Sequence, residues 1–375
     1  PRELWSRLDH LFQDAALAEG YALHDATFAK KNCLWSGYCD GINLCKYDAR
    51  QGSFMAYLPL ARERGVRMMP DCYVERVIIE KTGEGGRVKG VEYTQDGVRH
   101  TLEVPRVIVS SGMYGNPPLL YRSGYGPREL TDNLVVENPN VGRHTDNRPQ
   151  VRGPIGIFDE PITDGGFQHG GAFYVYHDLT SNGHYDRLQL VVSPSEVGRP
   201  DQVAIGADAP QFGRAHKDYM RDLGVAARMT DARREISRRA VTTLRVVRPR
   251  NIHGWINEWG EQIYAGNDPS IIKPLEQGRE LVYELLKKMG AREVVGMDLP
   301  LRVGILNTFV GSCIVGVDPR TSVVNPSFES HDVEGLFVCD ASVVPRAATQ
   351  GYAGTVATVA VFAASRIVER HFSRG

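Results

Sequence analysis

The chain has 375 residues, of which 42% are apolar and 24% charged, and its formal net charge is -1. These values are typical of a globular protein with a sizeable core, and they exclude a disordered or fibrous chain. The near-zero charge provides no positive field for nucleic acid, and no apolar run is long enough to cross a bilayer. We therefore expect a soluble, cytoplasmic protein.

Local patterns in the first third of the chain predict helices, a hairpin and a strand that leads into a turn. Apolar residues at helical spacing predict helices over residues 4–17 and 55–65. Residues 67–80 predict two strands with a break at Pro70, and residues 88–94 and 99–104 predict a hairpin about a Gln-Asp-Gly turn. Residues 106–111 form a short apolar run before Gly112, which is typical of a buried parallel strand that meets a ligand-binding turn.

The rest of the chain has a different pattern. Between about residues 150 and 247, short apolar runs are divided by glycine and proline, and the clearest strands are predicted at residues 171–176 and 186–192. This pattern favours an antiparallel sheet that faces a substrate. Residues 276–289 predict an amphipathic helix, and residues 354–372 predict a final helix rich in small residues.

Cys33, Cys39 and Cys45 cluster in a glycine-rich stretch. Three thiolates can ligate an iron–sulfur cluster, but these spacings are wider than those typical of such clusters or of zinc sites. Six cysteines in a chain of this length do not make a disulfide framework. We interpret the three as buried structural cysteines and predict no metal site.

Three passages resemble the glucose-methanol-choline (GMC) family of FAD-dependent oxidoreductases, and they occur in the family's order. The first reads Val-Ile-Val-Ser-Ser-Gly at residues 107–112 and ends in Ser-Gly-Tyr-Gly-Pro at residues 123–127. The second reads Asn-Pro-Asn-Val-Gly-Arg-His at residues 138–144. The third contains Gly-Ser-Cys at residues 311–313 and Cys-Asp-Ala at residues 339–341. Together with the strands and hairpin before the first passage, the resemblance extends through most of the chain and is weakest in the middle section.

The resemblance implies an α/β (α+β) fold with an FAD-binding domain built on a parallel sheet and a substrate domain built on an antiparallel sheet. It divides the chain into a partial FAD-binding domain at residues 1–147, a substrate-binding cap at 148–297 and a return segment at 298–375. The FAD contacts that the resemblance implies are Val74, Ser111, Gly112, Asp340, Ala341, Tyr352, Ala353, Thr355 and Val356.

The family's first nucleotide-binding segment, with its Gly-x-Gly-x-x-Gly turn between a strand and a helix, has no counterpart in these residues. These residues therefore do not make a complete FAD cradle. Either a separate polypeptide carries the missing unit, or these residues are a trimmed or cleaved piece of a longer protein. We expect a second polypeptide or a separate fragment to supply this unit, which would make the enzyme a heteromer.

The catalytic pair of the family is altered here. Alcohol-oxidising members have a general-base histidine three residues before the Gly-Ser-Cys turn, whereas this chain has Thr308, and the stretch that should hold the second His or Asn has neither. The polar groups expected to face the flavin are Asn307, Thr308, Gln350 and Tyr352. The base then comes from His144, His169 or the second polypeptide, or the substrate needs no strong base.

Two functions remain open on this basis. The first is a dehydrogenase or oxidase that takes hydride from a small alcohol or sugar-like donor to flavin. The second is a protein that has lost this reaction, either a scaffold subunit or a non-oxidising flavin enzyme such as the photodecarboxylases and hydroxynitrile lyases of the same family. The retained Gly112, Asp340 and Ala341 favour the first.

Overall fold

The computed structural model describes residues 5–25, 29–33, 39–40, 44–45, 49, 51–162, 173–178, 187–194, 237–247, 254–264, 272–301, 304–346 and 352–372. The chain forms two units. Unit 1 consists of residues 1–67, 150–246 and 272–304, and unit 2 of residues 68–149, 247–271 and 305–375. The division of the chain into an FAD-binding domain, a cap and a return segment stays a prediction.

The described helices are α1 (Arg7–Ala18), α2 (Ser53–Ala56), α3 (Leu58–Glu63), α4 (Gly112–Arg122), α5 (Ile272–Lys288) and α6 (Tyr352–His371), with a 3-10 helix at Ala341–Val343. The described strands of the first half are β1 (Leu23–Asp25), β2 (Cys39–Asp40), β3 (Leu44–Cys45), β4 (Cys72–Thr82), β5 (Gly85–Gln95), β6 (Val98–Glu103), β7 (Val107–Val109), β8 (Tyr125–Gly126), β9 (Val136–Glu137) and β10 (Asp146–Ile157). Those of the second half are β11 (Phe173–Asp178), β12 (Arg187–Pro194), β13 (Arg239–Val247), β14 (Gly254–Ile256), β15 (Gln262–Tyr264), β16 (Glu293–Val295), β17 (Gly304–Val310), β18 (Val333–Glu334) and β19 (Leu336–Val338).

Unit 1 is built on a sheet with the strand order β1-β11-β12-β13-β10-β16, in which β17 also pairs with β10. The registers of β1 with β11, β11 with β12 and β10 with β13 are antiparallel, which confirms the antiparallel sheet predicted for the middle of the chain. Helix α1 begins at a capping box, in which the Ser6 hydroxyl accepts from the Asp9 N–H and the Asp9 carboxylate accepts from the Ser6 N–H. Its buried face and that of α5 belong to the core of this unit: Leu8, Phe12, Ala15 and Ala16 from α1, and Leu275, Val282, Leu285 and Leu286 from α5.

Unit 2 contains the β4-β5-β6 meander, to which β18 adds in parallel on β5. The predicted hairpin between β5 and β6 is confirmed. Its turn residues Asp96 and Gly97 have φ values of 51° and 76°, the left-handed conformations that a type I′ turn requires. A second, parallel pair joins β7 to β19, and α4 follows β7 directly.

Two predicted elements differ from the structure because of prolines. The predicted helix at residues 55–65 is divided at Tyr57 into α2 and α3, since Pro59 lacks the N–H that would continue the first helix. The predicted strand before Pro70 does not form. The strand starts only at Cys72, after Asp71 turns the chain at a φ of 56°.

None of the helices in the described part of the chain combines the length and the apolar character that a membrane span requires. The predicted soluble and cytoplasmic location stays a prediction.

Candidate functional site

The candidate site begins where the parallel strands β7 and β19 end. Val107 pairs with Leu336 and Val109 with Val338, so the two strands leave the ladder at the same edge. Ser110 and Ser111 follow one strand, and Cys339 and Asp340 follow the other. Because ligands of open parallel sheets bind beyond the carboxyl ends of the strands, these two loops mark the binding edge.

The Asp340 carboxylate joins the two loops. Its Oδ2 accepts from the Gly112 N–H at 2.7 Å and from Nδ2 of Asn116 at 2.9 Å, and its Oδ1 accepts from the Ser342 N–H at 2.8 Å. Asp340 therefore caps the start of α4 and the start of the 3-10 helix at once. A carboxylate offers about four acceptor positions, which leaves about one for a hydroxyl of a bound cofactor.

Asn116 was missed by the sequence analysis. It is fully buried in α4, and its Nδ2 donates to Asp340 and, at 2.8 Å, to Oγ of Ser342. Its Oδ1 accepts from the Ser111 N–H at 2.7 Å. A signal existed in the sequence, since an asparagine directly before two prolines is a poor helix residue whose side chain is expected to bond to backbone groups.

A strained turn follows β17 and reaches the same place. Gly311 and Ser312 have φ values of 89° and 84°, and a positive φ is rare for a residue with a side chain. The Gly311 N–H donates to the Ala341 carbonyl at 3.2 Å, and the buried Ser312 hydroxyl donates to the Met113 carbonyl at 2.9 Å. The turn is thereby held against both the 3-10 helix and the first turn of α4.

The start of α6 meets the end of β17. Val356 packs against Val310, the last residue of β17, and against Val344, which follows the 3-10 helix. Ala353 and Thr355 lie in the first turn of α6 and are exposed, and Tyr352 is its first residue. Five of the predicted cofactor contacts, Ser111, Gly112, Asp340, Ala341 and Val356, are thus joined through described contacts, and the first turn of α6 adjoins them.

Val74, in β4, lies near the end of α4 that is opposite to Gly112. It is exposed on β4, next to Glu75, whose carbonyl accepts from Nε of Arg122 at 3.1 Å. Arg122 is the last residue of α4, so this part of β4 adjoins the end of the helix opposite Gly112. Over 11 residues the helix rises about 16 Å, so Val74 is suited to a part of an elongated cofactor distant from Gly112.

The structure describes only some of the candidate catalytic residues. Asn307 and Thr308 belong to β17, shortly before Val310, and their side chains lie outside the described residues. Gln350 and His169 also lie outside them. His144 turns at a φ of 59°, and a Cβ on Gly311 would fall on its carbonyl, so its backbone lies directly against the turn. Its side chain is exposed, with Nε2 at 3.4 Å from Oδ1 of Asn140.

The cysteines near Asp340 are kept neutral. Burial, and then the negative charge of Asp340, raises the pKa of Cys313 to about 12. The same two causes raise the pKa of Cys339. A thiolate is the nucleophilic form of cysteine, so neither residue is suited to nucleophilic catalysis at neutral pH.

The residues at this edge fit an extended phosphate-containing cofactor such as FAD. At Gly112, with a φ of 79°, an added Cβ would have no protein atom within 4 Å, so the space in front of the strand end is open. Glycine lets the backbone approach a ligand there without a side chain in between. As for metals, the described residues contain no group of three or more His, Cys, Asp or Glu that could hold an ion.

Comparison with known proteins gives two matching family models, both described as GMC oxidoreductase. They cover residues 6–150 and 267–360. The ranges include β7, α4, the Gly311 turn, Asp340 and the start of α6, so the site lies within the matched regions.

Curated relatives match over most of this chain. A long-chain-alcohol oxidase of Arabidopsis thaliana is 24% identical over 355 residues, which cover 87% of this chain and 45% of that protein. A GMC-type oxidoreductase of Mycobacterium tuberculosis is 26% identical over 339 residues, which cover 82% of this chain and 61% of that protein. The chain thus spans about half the length of the curated relatives it matches.

Solved structures share the fold. The pyridoxine 4-oxidase of Mesorbium loti superposes with a TM-score of 0.68 at 15% identity, covering 100% of this chain and 72% of its own. A formate oxidase superposes with a TM-score of 0.69 at 16% identity, covering 98% of this chain and 71% of its own. The predicted α/β (α+β) fold class is confirmed.

Proposed function

Because this chain belongs to the GMC oxidoreductase family, we propose that it forms part of an FAD-dependent dehydrogenase or oxidase that acts on an alcohol or sugar-like donor. The single observation that supports this most is the junction at the ends of β7 and β19. There one carboxylate, Asp340, fixes the start of α4 and the start of the 3-10 helix beside an open glycine turn.

In the proposed enzyme, FAD accepts the hydride when bound. The backbone at Gly112 allows close approach of the cofactor, and Asp340 offers its remaining acceptor position to a cofactor hydroxyl. The first turn of α6 contributes N–H groups and the positive end of its helix dipole, which favours negative charge nearby.

Proton transfer from the donor's hydroxyl needs a base that Thr308 does not supply, because a hydroxyl is not basic at neutral pH. Thr308 and Asn307 instead orient the donor oxygen by hydrogen bonding. His144 is the described candidate for the base, since its backbone lies against the Gly311 turn and its ring is exposed. In its neutral form a histidine accepts a proton near pH 7.

We propose that a segment outside these residues, on the same chain or on a second polypeptide, supplies the Gly-x-Gly-x-x-Gly unit, and exposed apolar surface in unit 2 supports this. Among the described strands, β7 pairs with β19 alone, and Ile108 in β7 is 53% exposed. Val361 and Val368 of α6 are 58% and 54% exposed. An open strand edge and apolar helix positions favour the addition of a strand and a helix, which is what a Gly-x-Gly-x-x-Gly unit consists of.

A second candidate function rests on the presence of Thr308 at the position where the family has its general-base histidine. A scaffold subunit, or a flavin enzyme that does not oxidise alcohols, would keep the fold without the family's histidine. The hydrogen bonds of Asp340 to Gly112 and Ser342 argue against a scaffold. A subunit without a cofactor does not require an open glycine turn capped by a carboxylate.

The proposal is tested by purifying the protein without enforcing a single chain, then recording its absorption spectrum and intact masses. We expect an oxidised-flavin spectrum, a Gly-x-Gly-x-x-Gly segment either on the same chain or on a second polypeptide, and bleaching of the flavin by one of a panel of alcohols and sugars under anaerobic conditions. D340A is expected to lose flavin and turnover. D318A is the matched control, because Asp318 is a carboxylate of the same unit that pairs with Arg320 at an exposed site.

The outcomes separate the alternatives. Flavin that is retained and never bleached by any donor supports the non-oxidising enzyme. A D340A protein that assembles and keeps full activity contradicts the assigned role of Asp340. A colourless assembly with both polypeptides present contradicts the flavoenzyme and supports the scaffold subunit.

A further inference from the structure

The short hairpin of β2 and β3 places two cysteines opposite each other. In its antiparallel register, Cys39 pairs with Cys45 and Asp40 pairs with Leu44. Directly opposed residues of an antiparallel ladder have Cα atoms about 4.5 or 5.5 Å apart, depending on whether the pair is hydrogen-bonded. Both separations fall within the range of about 4.4–6.8 Å that disulfides bridge. Opposed residues also share one face of the ladder.

The base of the same segment is fixed by an independent set of contacts. The Lys31 N–H donates to the Ala49 carbonyl and the Gln51 N–H donates to the Ala29 carbonyl, both at 2.8 Å. Ala49 is buried, so the base is anchored in the protein. The chain is therefore held together between residues 29–31 and 49–51 as well as within the hairpin, and this favours the pairing of Cys39 with Cys45 over other partners.

The third cysteine of the segment has a different position. Cys33 is a free, half-buried cysteine close to the base, and the β2–β3 register does not include it. The backbone register therefore pairs two of the three cysteines, Cys39 and Cys45.

We propose that Cys39 and Cys45 are a redox pair that forms a reversible disulfide across the hairpin. The oxidant is a low-molecular-weight disulfide of the glutathione class. One cysteine attacks it as the thiolate, forming a mixed disulfide and releasing one small thiol, and the second cysteine then displaces the other. The protein loses two protons and two electrons and gains one S–S bond, while the S–S bond of the small disulfide is reduced to two thiols that take up both protons.

The short separation of the pair in sequence makes this bond reversible. A cross-link stabilises a protein chiefly by restricting the unfolded chain, and the effect is smaller for short rings than for long ones. A bond within one hairpin restricts the unfolded chain less than a bond that closes a long ring, and we expect it to respond to the surrounding thiol balance.

The sequence allows a direct test by peptide mapping. Trypsin cleaves after Lys31 and Lys46, which leaves all three cysteines of the segment in one peptide, and cleavage before Asp40 divides that peptide between Cys39 and Cys45. The purified protein is equilibrated with oxidised or reduced glutathione, its free thiols are blocked with a large excess of iodoacetamide in denaturant at about pH 8, where the thiolate is available, and the peptides are analysed without reduction.

After oxidised glutathione, we expect the two pieces to remain joined, with Cys33 carrying the iodoacetamide label. After reduced glutathione, we expect two separate pieces with all three cysteines labelled. C33S is the matched control and is expected to leave the joined product unchanged. C45S is expected to lose the joined product and to trap glutathione on Cys39.

Several results would overturn the proposal. Separate pieces under both conditions would show that the pair does not form. Loss of the joined product in C33S would assign the bond to Cys33. Retention of metal by the native protein, with all three thiols labelled only after chelation, would replace the disulfide by a metal site.

Discussion

Asn116 connects the parts of the candidate site, and its replacement tests whether that connection holds the site together. The buried amide donates to Asp340 and Ser342 and accepts from the Ser111 N–H. In N116A all three hydrogen bonds are lost. The Asp340 oxygen keeps the Gly112 N–H, and the N–H of exposed Ser111 gains water.

The expected cost follows from the kinds of bond that are lost. A hydrogen bond to a charged group contributes about 1.5–3 kcal/mol and a neutral one about 0.5–1.5 kcal/mol. Because water replaces part of the loss, we expect N116A to lower the free energy of unfolding by about 2–4 kcal/mol. For a unit of this size that corresponds to a lower melting temperature by about 5–10 °C.

N116D changes the sign of the interaction and makes it depend on pH. The new carboxylate would place an oxygen where Nδ2 now lies, 2.9 Å from Oδ2 of Asp340. At an effective dielectric constant of about 20, two unit charges this close repel by about 6 kcal/mol. Repulsion and burial raise the pKa of the introduced carboxyl above the ordinary value of about 3.9.

The direction of the pH effect follows from that raised pKa. When protonated, the introduced carboxyl donates a hydrogen bond to Asp340, so this stability is present at low pH and is lost as pH rises through the raised pKa. We expect the melting temperature of N116D, relative to N116A, to fall as pH rises from about 3.9, the pKa in the unfolded chain, through the raised pKa of the folded protein. Thermal unfolding followed by circular dichroism at several pH values gives the melting temperature of both variants. Parallel curves for the two would refute the proposed contact between residue 116 and Asp340.

Three further predictions test the surrounding structure. G311A is expected to lower the free energy of unfolding by well over 2 kcal/mol, because its Cβ would fall on the His144 carbonyl. G290A is the control, since Gly290 has a similar φ in open space, and it should cost about 1–2 kcal/mol. Equal melting temperatures of the two variants would contradict the tight turn. Cys313, whose pKa burial raises from 9.0 to about 12, should resist thiol reagents in the folded protein at pH 8 and react in denaturant. Its contribution to stability should decrease as pH rises between those two values, since the unfolded thiol loses its proton first, and rapid labelling of the native protein would be inconsistent with this burial. Y125F removes a buried hydroxyl that is hydrogen-bonded to three side chains, and it should lower the free energy of unfolding by about 1–3 kcal/mol. Y114F removes a hydroxyl at an exposed site and should change the free energy of unfolding by less than about 0.5 kcal/mol. A similar effect of the two would argue against the buried hydrogen-bond network around Tyr125.

The sequence predicted the elements whose signals are local. The β5–β6 hairpin follows from the chemistry of its Asp-Gly turn, and the order of strand and glycine turn at residues 107–112 follows from a short apolar run before Gly112. The resemblance to the family then indicated Asp340 and Ala341 as cofactor contacts, and in the structure the Asp340 carboxylate accepts from the Gly112 N–H of that turn. The cofactor contacts themselves stay predictions.

The remainder of the site depends on contacts between residues distant in sequence. Asn116 and Asp340 are 224 residues apart, and Ser312 and Met113 are 199 residues apart. No periodicity or turn signal within either segment reports such a pairing. The strand predicted before Pro70 does not form for a local reason instead, because Asp71 turns the chain and the ladder of β4 with β5 begins only at Cys72.

The left-handed turn at Gly311 and Ser312 explains how β17 is positioned relative to α4. A residue such as Ser312 keeps a positive φ only where its surroundings determine it fully. Its N–H donates to the Arg143 carbonyl at 3.1 Å, its carbonyl accepts from the Gly142 N–H at 2.7 Å, and its hydroxyl bonds to α4. The segment before β10, the end of β17 and the start of α4 are therefore fixed to one residue. Since Thr308 lies three residues before this turn in the same chain segment, a change at Ser312 is expected to displace the strand that carries Thr308 as well as the helix that begins at Gly112.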